Sequence, residues 1–391
     1  MTKYLTIIAS FVIMLCLGGV YAWSIIASEL IENHNFSSAQ TQIIFGALIA
    51  IFPVTMIFVG KLASFINPKF LATTSGIFFF LGYLTAGLSN GNFYLFLLGI
   101  GILSGMGTGF GYWVSISIPV QWFPARKGLI AGIAAAGFGL GALIFSSISE
   151  AILLSGKTVF QLLIITGASY GIVILFFSNY ITQKNNGINL RHIKLSDFLN
   201  TKLFVKSFLG IFFGTFAGLL VIGSLKLIGE QYNIRNHFLI LGVSIFAIAN
   251  FLGRLLWGWI SDYIGASITI FIALLLQSIG IFLLNIVLLS DFSFIFLSAL
   301  IGLGFGCNFV LFVKETAQNF GIINLGIIYP YVFLGYALAG ITGPLIGGIL
   351  YDILGTYSYS IIIAGFVSLL GGLLYFLNYL KIRKDNNDFA K

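Results

Sequence analysis

Apolar runs long enough to cross a bilayer follow one another along almost the whole chain, and few folds accept that pattern. A spanning helix needs roughly 20 apolar residues. Twelve segments reach that length: 5–28, 40–63, 70–90, 93–118, 128–150, 158–181, 204–228, 237–260, 266–289, 292–313, 327–350 and 357–380. Inside lipid, backbone N–H and C=O groups must be satisfied without water, which favours helices for runs of this kind. Charged residues make up only 8% of the 391, against about 25% in soluble proteins, too few to solvate a surface of this size. The expected fold class is an all-α membrane protein of twelve transmembrane helices. The first run is too long for a signal-peptide core and lacks a clear small-residue cleavage site, so it reads as a retained helix. Cys16 and Cys307 sit inside apolar runs and suggest neither a disulfide framework nor a metal or redox pair.

The basic residues give an orientation. With the N-terminus in the cytoplasm, 15 of the 19 Lys and Arg residues fall in cytoplasmic segments and 2, Lys157 and Arg235, fall outside. The other 2, Lys226 and Arg254, lie within apolar runs. A bias of this size predicts both termini inside. The formal charge of +8 is accounted for by topology, so no nucleic-acid partner is expected. The lipid bilayer is the expected partner, and a bacterial inner membrane is the expected location.

The longest polar stretch lies near the middle of the chain, which divides it into a six-helix bundle over 1–181, a cytoplasmic linker over 182–203 and a second six-helix bundle over 204–391. The halves repeat faintly. Gly105-Met106-Gly107-Thr108-Gly109 is matched 197 positions later by Gly302-Leu303-Gly304-Phe305-Gly306, and Gln121-Trp122-Phe123 by Gln318-Asn319-Phe320. Gly60-Lys61-Leu62-Ala63-Ser64 is matched 198 positions later by Gly258-Trp259-Ile260-Ser261-Asp262. The fifth and eleventh runs are both dense in glycine. Glycine lets helix backbones approach closely in lipid, and Gly343-Pro344 is a point where the eleventh run can kink. No strand precedes the Gly-x-Gly strings, so they do not read as nucleotide loops. Two parallel repeats imply a substrate site near the bilayer midplane, between the halves.

Gly258-x-x-x-Asp262-x-x-Gly265 resembles the loop signature of the major facilitator superfamily, with Ser64 replacing the acid in the first-half copy. Gly343-Pro344-x-x-Gly347-Gly348 resembles its glycine-proline helix motif. A narrower likeness is carried by Gly19-Val20-Tyr21-Ala22-Trp23-Ser24, by Gln121-Trp122-Phe123-Pro124-Ala125-Arg126-Lys127-Gly128, and by Gly132-Ile133-Ala134-Ala135-Ala136-Gly137-Phe138-Gly139. Together these are similar to the oxalate/formate antiporter and monocarboxylate transporter branch. The resemblance implies two pseudo-symmetric bundles in the major facilitator fold. It also implies secondary transport of small organic anions, by exchange or with a proton, and gating by Gly258, Asp262, Gly265 and Arg126.

Arg254 is the leading substrate-binding candidate. An anion carrier needs a fixed cation, and guanidinium matches a carboxylate with two parallel hydrogen bonds. The resembling family places a substrate-binding arginine in this span. The competing reading has Arg254 snorkelling to the surface or anchoring Asp262. Asn250 lies one turn earlier on the same face. Lys226 is a second candidate cation, though a lysine near a span end can snorkel. Candidate cavity walls are Tyr21 and Trp23, Tyr112, and Tyr329, Tyr331 and Tyr336, each with packing as its competing role. Asn308 is polar at mid-depth, and Lys314-Glu315 reads as a cytoplasmic loop pair. The resemblance associates dicarboxylate transport with a second cation in the eleventh span. None lies between Ile327 and Leu350, which favours monocarboxylates such as formate, lactate or pyruvate.

All 11 acids, with His34, His192 and His237, lie in loops or near span ends, so no buried proton relay is visible and exchange and proton symport both stand. A facilitator-type carrier or exporter of another solute, such as an amphiphilic drug or metabolite, is the alternative. A membrane enzyme would need paired acids, a His cluster or a nucleophile at membrane depth, and no such set is present in the sequence. No cofactor or metal is expected, and the expected working unit is a monomer.

Overall fold

The computed structural model describes residues 2–63, 65–123, 127–183, 196–286, 289–321 and 325–389. Twelve helices in it are long and apolar enough to cross a membrane: Thr2–His34, Ser38–Leu62, Pro68–Gly87, Phe93–Pro119, Gly132–Leu154, Val159–Ser178, Lys202–Gln231, Asn236–Ile264, Ala266–Ile286, Asp291–Phe320, Ile327–Leu354 and Ser358–Leu380. They are called spans 1 to 12 below. Crossing alternately, they leave both termini on one face (the terminal face). The short turns from each odd-numbered span to the next lie on the other (the hairpin face). Large apolar side chains such as Phe70, Ile172, Phe366 and Leu377 are exposed around the bundle, as expected where lipid is the solvent.

Local chemistry sets the span ends. Ser37 with Gln40, Thr158 with Gln161 and Ser290 with Ser293 form reciprocal caps at the starts of spans 2, 6 and 10, satisfying amide donors that the first turn leaves free. Gly265, at φ 87°, ends span 8. This is a backbone conformation that L side chains rarely adopt.

Spans 4 and 10 hold the two halves' glycine strings and pack by the same rule. Gly105 and Gly109 face span 2, where an added Cβ would lie 3.1 Å from the Leu48 carbonyl and 2.7 Å from that of Phe52. Gly107, between them, faces span 3 at Ser75 and Phe79. In the second half Gly302 and Gly306 face span 8 at Phe246 and Asn250, while Gly304 faces span 9 at Ala273 and Gln277. Leu48 and Phe52 are thus the mates of Phe246 and Asn250, at an offset of 198. Gly60 against Trp113 is matched in the same way by Gly258 against Val310.

Among the described residues the halves meet most extensively along three pairs of spans: 1 with 7, 2 with 11, and 5 with 8. Span 1 is interrupted by a 3-10 turn at Gly18–Ala22, and span 10 by another at Gly306–Phe309. Span 11 stays helical across Pro344, from Leu334 to Leu354, and its interruption is at Phe333. The kink point expected at Gly343-Pro344 is therefore not where that helix divides.

The expected loop reading of Lys314-Glu315 is corrected. Span 10 runs on to Phe320 and buries Leu311, Phe312, Glu315 and Thr316 along one stripe. Glu315 is only 4% exposed. It accepts Lys206 Nζ at 2.7 Å, Ser207 Oγ at 3.1 Å and the Tyr375 hydroxyl at 2.5 Å, tying span 10 to spans 7 and 12. Truncating one partner of a buried ion pair strands the other, at about 3–5 kcal/mol. Glu315→Ala should therefore lower the melting temperature of the detergent-purified protein by many degrees. A variant that melts with the wild type would show that the pair does not hold these spans together.

Candidate functional site

Where the halves face each other, aromatic rings close around one guanidinium. Arg254 extends from span 8 and is 2% exposed. Its Nε donates to Asn250 Oδ1, one turn earlier, at 3.3 Å. Its Nη1 donates to the Ala135 carbonyl of span 5, in the other half, at 2.7 Å. Its Cζ lies 4.3 Å from the centre of the Phe309 ring, within cation–π range. Nη2 is buried and makes no hydrogen bond of good geometry among the described residues, and the Tyr21 hydroxyl lies beside the guanidinium. No ion pair to Arg254 occurs among the described residues; Asp262 pairs instead with Lys314 of span 10, which also donates to Ser261 Oγ. Arg254 therefore neither snorkels nor anchors Asp262.

Rings from both halves complete the enclosure. Tyr21 stands on the 3-10 turn of span 1, 5.3 Å from Phe138 of span 5 and 6.1 Å from Phe309. Its hydroxyl meets that of Tyr336 from span 11 at 3.2 Å, a hydrogen bond between the halves. Tyr112 of span 4 contacts Phe52 at 4.7 Å and Phe138 at 5.4 Å, and stacks on Phe333 at 6.0 Å. Phe333, at the break in span 11, stacks between Tyr329 at 5.3 Å and Tyr336 at 4.7 Å. The hydroxyls of Tyr112 and Tyr329 are buried without hydrogen-bond partners among the described residues, as is Asn250 Nδ2. This closely packed cluster at the seam, called the chamber below, offers one charge, several polar groups without a hydrogen bond among the described residues, and apolar walls. Such a set can grip one small carboxylate by its oxygens and enclose an apolar remainder.

The structure thus brings Arg254, Asn250, Tyr21, Tyr112, Tyr329 and Tyr336 together and sets the other candidates apart. Trp23 is buried beside Phe45, 6.2 Å away, on the hairpin side. Tyr331 turns to Phe198, 5.6 Å away, ahead of span 7. Asn308 is fully buried next to Gly214 of span 7 and donates to the Phe305 carbonyl. Lys226 is 4% exposed and does not snorkel; it donates to Ser28 Oγ at 2.8 Å and pairs with Glu230 at 3.4 Å. Gly258 packs against Val310. Arg126 and Ser64 lie outside the described residues. Sequence reasoning did not single out Phe52, Phe309 and Phe333 or the Ala135 carbonyl. The repeat held one usable signal: Phe52 is the mate of Asn250.

Toward the hairpin face the halves are clasped. The carboxylate of Asp352, at the end of span 11, accepts the backbone N–H groups of Ser38 and Ala39 at 3.0 and 2.9 Å, capping span 2. Ser38 Oγ and the Tyr357 hydroxyl are 2.7 Å apart, Gln42 Nε2 donates to the Gly223 carbonyl at 3.0 Å, and Ser146 and Ser244 meet at 2.6 Å. Burial pushes the Tyr357 phenol above its ordinary pKa, so it remains a neutral hydroxyl.

The Major Facilitator Superfamily family model matches residues 6–222 and 207–391. The chain is 28% identical over 351 residues to the uncharacterized MFS-type transporter YhjX of Escherichia coli (strain K12), covering 87% of this chain and 86% of that protein. It is 25% identical over 354 residues to the oxalate:formate antiporter of Oxalobacter formigenes, covering 88% and 84%. A shorter stretch of 59 residues is 41% identical to apicoplast pyruvate carrier 1 of Toxoplasma gondii, covering 15% of this chain and 11% of that one. With twelve apolar helices long enough to cross a membrane among the described residues and a family match running nearly end to end, this multi-pass membrane protein is a transporter of the Major Facilitator Superfamily.

Proposed function

We propose that the chain is a secondary active transporter of small monocarboxylates, of the formate, lactate or pyruvate type. The observation that carries this reading is Arg254: a buried guanidinium at the meeting of the halves whose Nη2 makes no hydrogen bond of good geometry and which has no ion pair among the described residues. A charge at membrane depth is costly and is usually retained for a partner or a pathway. A substrate carboxylate supplies that partner, and the free hydroxyls of Tyr112 and Tyr329 give its oxygens further donors. One guanidinium suits one carboxylate, which favours monocarboxylates over oxalate. The oxalate:formate antiporter and the pyruvate carrier among the relatives support a carboxylate cargo.

Transport follows from rocking of the bundles 1–181 and 204–391 about the chamber, with 182–203 as their linker. The distribution of Lys and Arg supports both termini in the cytoplasm, and so a terminal face directed inward, with a bacterial inner membrane as the expected location. The wild-type protein in liposomes, given labelled formate, lactate, pyruvate and oxalate, should take up a monocarboxylate. Uptake driven by a pH gradient identifies symport; uptake that needs internal anion identifies exchange. Absence of uptake for every acid, in vesicles shown to hold folded protein, would overturn the reading in favour of a different solute.

A further inference from the structure

Trp23 stands in the motif that supplies Tyr21 but faces away from the chamber, and its surroundings hold unused polar groups of their own. Trp23 is 2% exposed, and Ser24 and Gln42 are fully buried. Among the described residues Trp23 Nε1, Ser24 Oγ and Gln42 Oε1 all lack hydrogen-bond partners. A buried polar group left unpaired costs about 1–3 kcal/mol, and an indole N–H can only donate. Trp23 stacks on Phe45 of span 2, and Gln42, one turn from Phe45, lies with it against Gly223 of span 7. Phe45 is seven residues from Phe52 of the chamber wall, about 10 Å along a helix, in the direction of the hairpin face. The hydrogen bond from Gln42 Nε2 to the Gly223 carbonyl joins spans 2 and 7 at this level, Ser146 and Ser244 join spans 5 and 8, and the rim contacts of Ser28 and Ser38 lie nearer the hairpin face.

We propose that Trp23 and Gln42 form a second, uncharged carboxylate station between Arg254 and the hairpin face, used when that face opens. This inference rests on the monocarboxylate reading above. Parting of spans 2 and 7 releases the Gln42 amide from Gly223, so its N–H groups and the Trp23 indole become donors to a passing carboxylate. Closure returns the amide to the Gly223 carbonyl and passes the anion to the guanidinium. The station binds weakly because it has no charge, and it lowers the barrier between water and the chamber rather than holding the cargo.

Two measurements test it. Trp23→Phe keeps an aromatic ring beside Phe45 and deletes the donor. Its maximal exchange rate should fall about tenfold, the effect of losing one hydrogen bond to a charged group. The dissociation constant for the same monocarboxylate, measured by titration calorimetry, should stay within twofold of wild type. In addition, Ser24→Cys should react with a membrane-impermeant methanethiosulfonate from the hairpin side, and formate or lactate should slow that reaction even in an Arg254→Ala background. Wild-type exchange by Trp23→Phe, or labelling of Ser24→Cys that no carboxylate slows, would overturn the station while wild-type uptake leaves the transport reading standing. If Trp23→Phe fails to fold, the labelling decides alone. If the wild type neither binds nor moves any carboxylate, the transport reading itself falls.

Discussion

Arg254→Ala is expected to abolish saturable monocarboxylate uptake in liposomes, and Arg254→Lys to retain only a small remainder. Removing one partner of a buried, hydrogen-bonded charge pair costs about 2–5 kcal/mol in binding, roughly 30-fold to several thousand-fold. Lysine keeps the charge but loses the planar fork that reaches Asn250, Ala135 and a carboxylate together. A second expectation separates a binding residue from a structural one. The guanidinium is buried without an ion pair among the described residues, so it burdens the folded protein. Arg254→Met, which fills the space with an apolar chain, should melt at or above the wild-type temperature when no anion is present. A bound monocarboxylate should then raise the melting temperature of the wild type and not of Arg254→Met, since only a species that binds the native state stabilises it. Full uptake without the arginine would remove it from the mechanism. A large fall in anion-free stability in Arg254→Met would make it a structural residue instead.

Arg254 was visible in the sequence because a lone arginine in an apolar run has few explanations, and its spacing to Asn250 placed both on one helix face. The twelve spans were visible because bilayer thickness imposes a length on every crossing. The chamber walls were not visible. The chain has 41 phenylalanines, and nothing local separates Phe52 or Phe333, which meet across the halves at 5.6 Å, from those that face lipid. Glu315 was misread for a related reason: its neighbours Lys314, Gln318 and Asn319 look like a loop, while its partners Lys206 and Tyr375 are more than fifty residues away in sequence. Lys226 could not be resolved either, since Ser28, which accepts its ammonium, belongs to the other half. Local pattern yields elements and single anomalies; pairings across the seam come only with the fold.

The seam also carries the second large expectation, Gly46→Ala. Pro344 has no N–H, so the Gly340 carbonyl four residues before it lacks its usual helical donor. That carbonyl faces span 2 of the other half, where a Cβ on Gly46 would sit 2.5 Å from the oxygen. The obstacle is backbone, so no side-chain rotation relieves it. Gly340 in turn presses against Ile49, and Gly348 against Ala39, so spans 2 and 11 cannot slide apart locally without loosening the Asp352 cap on Ser38 and Ala39. Overpacking of this kind costs about 1–3 kcal/mol, and here it falls on the arrangement clasped at the hairpin face and not on packing within either half. Gly46→Ala should therefore shift the carrier toward the arrangement open at that face, by roughly 5- to 150-fold in population. Exchange should slow by at least tenfold, with monocarboxylate binding retained. A cysteine at Ser38 should become more reactive toward impermeant thiol reagents in this background, and the melting temperature should change little. Unaltered exchange and unaltered cysteine reactivity would mean that the close approach of Gly46 and Gly340 plays no part in closing the hairpin face. A collapse in stability would mean that spans 2 and 11 hold the fold together rather than gate it.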